Sequence, residues 1–380
     1  MGKKFSAIDR LNKVFTTIET ETMHVGFSNL DMWVSTGNYA LNRLLSNRYD
    51  RGFMFGRLVT VYGESGSGKS LLLAQTAGNA QRDLGAYVVW VDTERATDDK
   101  VGQEWFRRAK LNIDENFQYV KAATFSDLQR LMSAFAKQYR DDWKKEDTRS
   151  DLPPVMFVID SYNGLLTDTQ WGQTLEGKNV GDQGQKAKQL GEVMNRTNHL
   201  IDGLPMLIAG VLHVFDNQDQ HGARHKATGG NKAIFLASQS LMLSKGLLRS
   251  EDVDDIMARD PDDNKKVVGI TSMATIFKSR YSKPNERTPI QIPWATGIDP
   301  YSGLWPLLLA DGTVRSTSDS GKGSWFQYTN VKGETVKFQG AKEFRAKHAA
   351  EMMKIDLGEA VGVDMTPAEV RAEITSEENA

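Results

Sequence analysis

Residues 58–62 read LVTVY, an apolar β-rich run that continues without a gap into Gly63-Glu64-Ser65-Gly66-Ser67-Gly68-Lys69-Ser70 and then into LLLAQTAGNAQRDL up to Gly85. The octapeptide matches G-x-x-x-x-G-K-[ST]. Its placement between a strand and a helix restricts this stretch to a phosphate-binding loop. Glycines let consecutive backbone N–H groups curl around phosphate oxygens, where the helix N-terminus adds partial positive charge. Residues 63–70 are thus the expected nucleotide cradle, with Lys69 reaching the β- and γ-phosphates and Ser70 ligating Mg²⁺.

Such a loop needs a second acid to hold the metal's water shell, and Asp160, closing the apolar run VMFVID, is that residue. Ser161 either senses the γ-phosphate or caps a helix. Hydrolysis also needs a group that polarises water. Glu94 stands two residues past the end of YVVWVD, a strand expected beside LVTVY, and a carboxylate at the C-terminal end of a parallel strand faces the ligand crevice. The competing role for Glu94 is a helix cap or surface acid.

The apolar runs LVTVY, YVVWVD, VMFVID and MLIAGV, followed by SLMLS and ATIFK, alternate with helical stretches. This pattern predicts an α/β fold with a mostly parallel sheet covered by helices on both faces. Ahead of it, Phe5, Ile8, Leu11, Phe15 and Ile18 recur at three- and four-residue spacing, predicting an amphipathic N-terminal helix within residues 1–27 that buries its stripe on its own body or on a neighbouring subunit. Residues 139–154 are charged, end in two prolines and read as a surface connection. The main core is expected over 28–305 and a small C-terminal α+β domain over 306–355, where GSWFQY lies.

Charge refines the picture. The net value is −2, but residues 356–380 hold seven acids and one base, so the chain without this tail carries +4. An acidic tail after a mildly basic body either competes with phosphate for a nucleic-acid surface or is merely solvated. No apolar run approaches the ~18 to 20 residues of a spanning helix, and MGKKFSAIDR lacks a signal-peptide core. Membrane insertion and secretion are not expected. The opening Met-Gly-Lys-Lys-Phe-Ser fits a myristoylation pattern only loosely. Zero cysteines exclude disulfides and thiolate sites, which fits the cytoplasm.

STGNYALNRLL (35–45), GESGSGKS, VDTERA, MFVIDS, LIAGVLH, ATGGNKAIFLAS, FKSR (277–280) and GIDPYSGL (297–304), in this order, make the chain resemble the RecA-type recombinases, most of all the UvsX recombinases of tailed bacteriophages. The resemblance covers roughly residues 28–305. It implies a RecA-like P-loop ATPase core using ATP and Mg²⁺, with Glu94 as the water-activating glutamate. His213 matches the strand-end γ-phosphate sensor, a Gln in the cellular enzymes and a His in the phage ones. Lys278 and Arg280 match two cations that reach a neighbouring subunit's ATP, the alternative being a solvated strand end. Trp105 falls where the family sets an aromatic on adenine, and core packing is the competing role.

The resemblance further implies two DNA-holding loops. The first, residues 167–185, contains Trp171 and leads into a helix with Lys186 and Lys188; the second, residues 214–227, contains Phe215, Arg224 and Lys226 and precedes Thr228-Gly229-Gly230. Polar loops with cations and a lone aromatic suit sequence-independent contact to a single strand, although ordinary surface loops share that composition. The activity implied is that of a single-stranded-DNA-dependent ATPase with strand exchange. Such a protein would form helical filaments on single-stranded DNA, pair with double-stranded DNA, and work with a single-strand-binding protein and a loader. A hexameric helicase on the same core and a non-catalytic accessory protein are the alternatives.

Overall fold

The computed structural model describes residues 30–178, 184–216, 225–227, 235–254, 258–318, 323–330 and 333–356. The expected N-terminal helix, Arg224, Gly229, Gly230 and the tail beyond residue 356 lie outside them, as do the side chains of Phe215 and Lys226.

Two short strands, β1 (Trp33–Val34) and β2 (Phe53–Met54), form an antiparallel pair at the N-terminal side of the core. The main sheet uses β3 (Leu58–Gly63), β4 (Tyr87–Asp92), β5 (Phe117–Lys121), β6 (Val155–Asp160), β7 (Met206–Asp216), β9 (Gln239–Arg249), β10 (Val267–Ser279) and β11 (Arg287–Pro293), in the spatial order 11-10-9-3-7-6-4-5. A further strand, β8 (His225–Ala227), folds back antiparallel on the end of β7. From β9 to β5 neighbouring strands are parallel, whereas β10 runs antiparallel to both β9 and β11. The mostly parallel sheet read from the apolar runs is therefore present, with an antiparallel arm at one side. YVVWVD, however, does not lie beside LVTVY: β7 and β9 flank β3, and β6 and β7 separate it from β4.

All six residues of β3 are buried, as a strand covered on both faces requires. The helices Lys69–Leu84 and Lys100–Arg108 cover one face over a core that includes Val59, Val61, Leu72, Trp90 and Val158. The helices Phe125–Trp143 and Gln185–Leu200 cover the other, over Leu58, Tyr62, Val91, Phe157 and Ile208. Residues 139–154 are not simply a connection. Tyr139 is buried and donates to the Pro153 carbonyl at 2.8 Å, and Trp143 packs on the same core, so the helix continues through Arg140, Asp141 and Asp142 to Trp143.

The C-terminal strands β12 (Arg315–Ser316), β13 (Trp325–Thr329) and β14 (Thr335–Gln339) make a separate antiparallel sheet. Its apolar cluster joins Tyr328, Phe338 and Phe344 to Leu304 and Leu308 of the helix Leu304–Ala310 and to Tyr49. Tyr49 donates to Asp311 at 2.6 Å, and Arg345 pairs with the buried Asp299 at 2.8 Å. The motifs at 35–45 and 297–304 also meet, since Asn38 Nδ2 donates to the carbonyls of Asp299 (2.8 Å) and Ser302 (3.0 Å).

Close packing controls one turn near the phosphate loop. A Cβ on Gly210 of β7 would lie 2.0 Å from the fully buried Tyr162 ring. Gly210→Ala should therefore cost about 1–3 kcal/mol through overpacking and lower the thermal unfolding midpoint; an unchanged midpoint would show that the ring has room to move.

Candidate nucleotide site

The loop leaves β3 at Gly63, and the helix begins at Lys69. Gly66 and Gly68 take φ of 72° and 92°, in the left-handed region that β-carbon-bearing residues avoid. A Cβ at Gly63 would stand 2.1 Å from the Leu243 carbonyl oxygen, so β9 passes too closely for any other residue. From β10, Ser272 Oγ donates to the Ser67 carbonyl, bracing the loop from the antiparallel arm.

Lys69 is almost fully buried and folds over the loop, donating to the carbonyls of Gly63 (3.0 Å) and Glu64 (2.6 Å). Burial lowers its pKa, while the negative charges of Asp160, Glu94 and Glu64 pull the other way. Ser67 Oγ is buried with no hydrogen-bond partner among the described residues, and it lies 3.0 Å from where a Gly63 Cβ would stand. The loop thus combines a glycine-only path and a buried ammonium. These features fit a nucleotide phosphate chain.

Parallel pairing gathers the remaining groups. Gly63 pairs with His213, and Asp92 with Asp160, so the ends of β3, β6 and β4 form one rim beside His213 of β7. Asp160 is shifted up to about 6, chiefly by desolvation; Glu94 and Asp92 add to the rise, while the Ser70 hydroxyl and Lys69 oppose it. The Asp160–Ser70 pair is the hard-oxygen arrangement a divalent cation needs. The peptide between Asp160 and Ser161 is cis.

Glu94 reaches this rim although β4 is three strands away from β3. The cause is Asp92, to which the residue pattern alone assigns no role. Its buried carboxylate accepts the backbone N–H groups of Glu94 (2.9 Å), Arg95 (2.6 Å) and Thr97 (3.1 Å), the Thr97 hydroxyl (3.1 Å) and the Tyr119 hydroxyl. The chain turns sharply around it, with Arg95 at φ 56°. Glu94 Oε1 then accepts from Ser161 Oγ and lies 3.1 Å from His213 Nε2. The His213 hydrogen bond, ahead of that from Ser161, holds the Glu94 carboxyl at about 2, against the opposing effect of burial. Helix capping is not its role, because Asp99 caps the following helix. An acid closing a strand just before Thr-Glu is the available signal for Asp92; its five bonds exist only in the folded turn.

Other expected residues are placed differently. Trp105 packs edge-on against Trp90 and Phe106 (ring centroids 6.2 and 5.2 Å) on the main core. Part of the first loop is the helix Asp168–Leu175, started by a Thr167–Gln170 capping box because Thr-x-x-Gln satisfies two end N–H groups; it carries the partly exposed Trp171. Lys186 lies in the first turn of the helix Gln185–Leu200 and donates to the Asn163 carbonyl at 2.7 Å, while Lys188 on the same helix is exposed. Lys278 donates to the carbonyls of Phe235 and Ala237 (2.7 Å to the latter), and Arg280 is exposed. Lys278 is level with Ser240 and Thr60, and Gly63 lies three residues farther along β3, about 10 Å at the rise of a strand. Arg280 stands farther still from its own loop. The two cations therefore occupy the opposite end of the sheet.

Fold and rim together define a RecA-like α/β core, a mostly parallel sheet with its phosphate loop at the strand ends. The chain is similar over most of its length to the RecA proteins of several bacteria. It is 23% identical to Protein RecA of Brucella anthropi over 325 residues, 85% of this chain and 75% of that protein. To Protein RecA of Phytoplasma mali it is 24% identical over 302 residues, 78% of this chain and 76% of that one. No protein-family model matches. Among the described residues no helix is long and apolar enough to cross a membrane.

The raised Asp160 pKa has a definite sign. Its proton is favoured by the fold below about pH 6 and must leave before the carboxylate can ligate a cation, so divalent-cation affinity should rise with pH through that region. Below about pH 6 the affinity should fall by about tenfold per unit, one proton being displaced. Asp160→Asn should bind weakly with no such slope, as read by cation titration of nucleotide binding; equal slopes for both proteins would remove Asp160 from the site.

Proposed function

We propose that this chain is an ATP-dependent DNA strand-exchange protein, a DNA-stimulated ATPase that assembles as a helical filament on single-stranded DNA and pairs that strand with homologous duplex. The observation that carries the reading is the meeting of Lys69, Glu94, His213 and Asp160 on one rim, beside the elements from which the two expected DNA loops extend. The similarity to RecA proteins supports the same reading. The His at position 213 is the feature that favours a phage-type member of the class.

Bound ATP supplies the transferable γ-phosphoryl group, and Mg²⁺ neutralises charge on its oxygens. The protein's own residues do the rest. Lys69 would exchange the Gly63 and Glu64 carbonyls for phosphate oxygens, while Asp160 and Ser70 would hold the cation. Glu94 is ionised throughout the physiological range and orients the attacking water. Its carboxylate is a poor proton acceptor while His213 and Ser161 hold it near 2. When the His213 ring turns to the γ-phosphate, Glu94 loses that hydrogen bond and becomes a stronger base. Movement of His213 also reports the nucleotide to residues 214–227, which follow it directly. Trp105 is only partly buried in the aromatic cluster, and we assign it to the core, with the adenine contact as the alternative.

Glu94→Gln should keep ATP and single-stranded DNA binding but lower turnover by at least about 10²-fold. Wild-type turnover should rise on adding single-stranded DNA, with filaments in negative-stain images. Loss of ATP binding along with turnover would make Glu94 structural, and closed rings instead of filaments would favour a helicase.

Lys278 and Arg280 face away from their own phosphate loop and are assigned to a neighbouring subunit's nucleotide. Lys278→Ala or Arg280→Ala protein should therefore be inactive alone but recover part of its ATPase when mixed with Lys69→Ala protein, which retains both cations. No recovery at any ratio, with co-assembly shown independently, would remove the pair from the interface.

A further inference from the structure

We infer that Asn163 is a positioning residue that couples the nucleotide rim to the helix Gln185–Leu200, so that engagement of that helix by a nucleic-acid phosphate is transmitted to His213 and Glu94. The inference rests on the function proposed above and adds its regulation.

Asn163 closes the turn after β6, and three of its groups face three parts of the site. Its side-chain Oδ1 accepts the backbone N–H of His213 at 2.8 Å. Its carbonyl accepts the Lys186 ammonium at 2.7 Å. Its N–H donates to Ser161 Oγ at 3.2 Å, the hydroxyl that in turn donates to Glu94 Oε1. One residue is thereby bonded to the strand bearing His213, to the helix bearing Lys186 and Lys188, and, through Ser161, to Glu94.

The turn has little freedom to absorb a disturbance. Thr93 Oγ1 donates to the Ser161 carbonyl at 2.6 Å and accepts the Ser161 N–H at 3.0 Å. The Tyr162 N–H donates to the Val211 carbonyl at 3.0 Å, and its ring is fully buried against Gly210. A Cβ at Gly164 would strike Thr93 Oγ1 at 2.2 Å. Packed structure of this kind passes displacement on instead of dissipating it.

The signal is the Lys186 ammonium. Its bond to the Asn163 carbonyl is charge-assisted, and a phosphate is a stronger partner for the same cation. When a phosphate draws Lys186 away, the carbonyl loses its donor and the backbone of Asn163 relaxes. Oδ1 then shifts against the His213 N–H, and the N–H shifts against Ser161. Both hydrogen bonds that restrain Glu94 are thus reached from one event at the helix. The reciprocal holds: a His213 displaced by nucleotide weakens the restraint on Lys186.

The test compares ATP turnover with and without saturating single-stranded DNA in Asn163→Ala, Asn163→Asp, Lys186→Met and the Asn163→Ala/Lys186→Met double variant, with DNA affinity measured separately by fluorescence anisotropy. Asn163→Ala should lose stimulation by a factor in the about 5- to 150-fold range of site-to-site coupling, up to the size of the stimulation itself, while still binding DNA. Asn163→Asp keeps the acceptor and should retain stimulation, which also covers the case in which the alanine variant does not fold. Lys186→Met should lose stimulation at saturating DNA, and the double variant should lose no more than either single one. The inference is overturned if Asn163→Ala lowers both rates by the same factor, if its stimulation is unchanged, if Asn163→Asp loses stimulation as fully, or if the two substitutions are additive. A wild-type protein with no ATPase, or none that DNA stimulates, would instead sink the functional reading itself, and this inference with it.

Discussion

Every group that reaches the phosphate loop does so because parallel pairing brings the C-terminal ends of β3, β6 and β4 beside His213 of β7. The pairings Gly63–His213 and Asp92–Asp160 set that arrangement, and they follow from continuous apolar runs buried on both faces. A one-residue slip in such pairing would turn each side chain to the other face and remove Asp160 from Ser70. The antiparallel arm depends on the same register: β9 must pass Gly63 closely, and β10 must bring Ser272 to Ser67.

Two carboxylates at these strand ends have opposite surroundings. Asp92 is buried but accepts five hydrogen bonds, so its charge is compensated within the fold and it acts as a pivot for the chain. Asp160 is desolvated without such compensation, and its pKa rises to about 6. A carboxylate left short of donors is suited to a cation, whereas one saturated with N–H donors is suited to holding backbone. Glu94 is a third case, ionised and restrained by groups that can move, His213 and Ser161.

The antiparallel arm and the C-terminal sheet extend the core in different ways. The arm carries Lys278 and Arg280 to the end of the sheet away from the loop, where they serve no group of their own site. The C-terminal sheet is tied to the core by a shared apolar cluster and by the Arg345–Asp299 pair, and Tyr49, from before the phosphate loop, joins both the cluster and Asp311.

The phosphate loop, the strands on which Asp160 and His213 stand, and the acid Glu94 are legible in the chain because each is encoded locally: by glycines that permit unusual backbone angles, by runs of β-branched residues, and by a strand end next to a polar turn. Lys186 and Lys278 are likewise marked as cations worth notice. Strand order is different, and with it the separation of YVVWVD from LVTVY, since order is set by how helices cross the sheet and not by any one strand's composition. The Thr167–Gln170 capping box is a local signal within a stretch that otherwise reads as loop, whereas only folding packs Trp105 into an aromatic cluster and brings Lys186 back onto Asn163. The roles of Asp92 and Asn163 belong to the same class. Each consists of hydrogen bonds that depend on the folded turn or on groups far apart in the chain, up to 50 residues for Asn163 and His213, and no local pattern of residues records a partner that only chain folding brings within hydrogen-bonding distance.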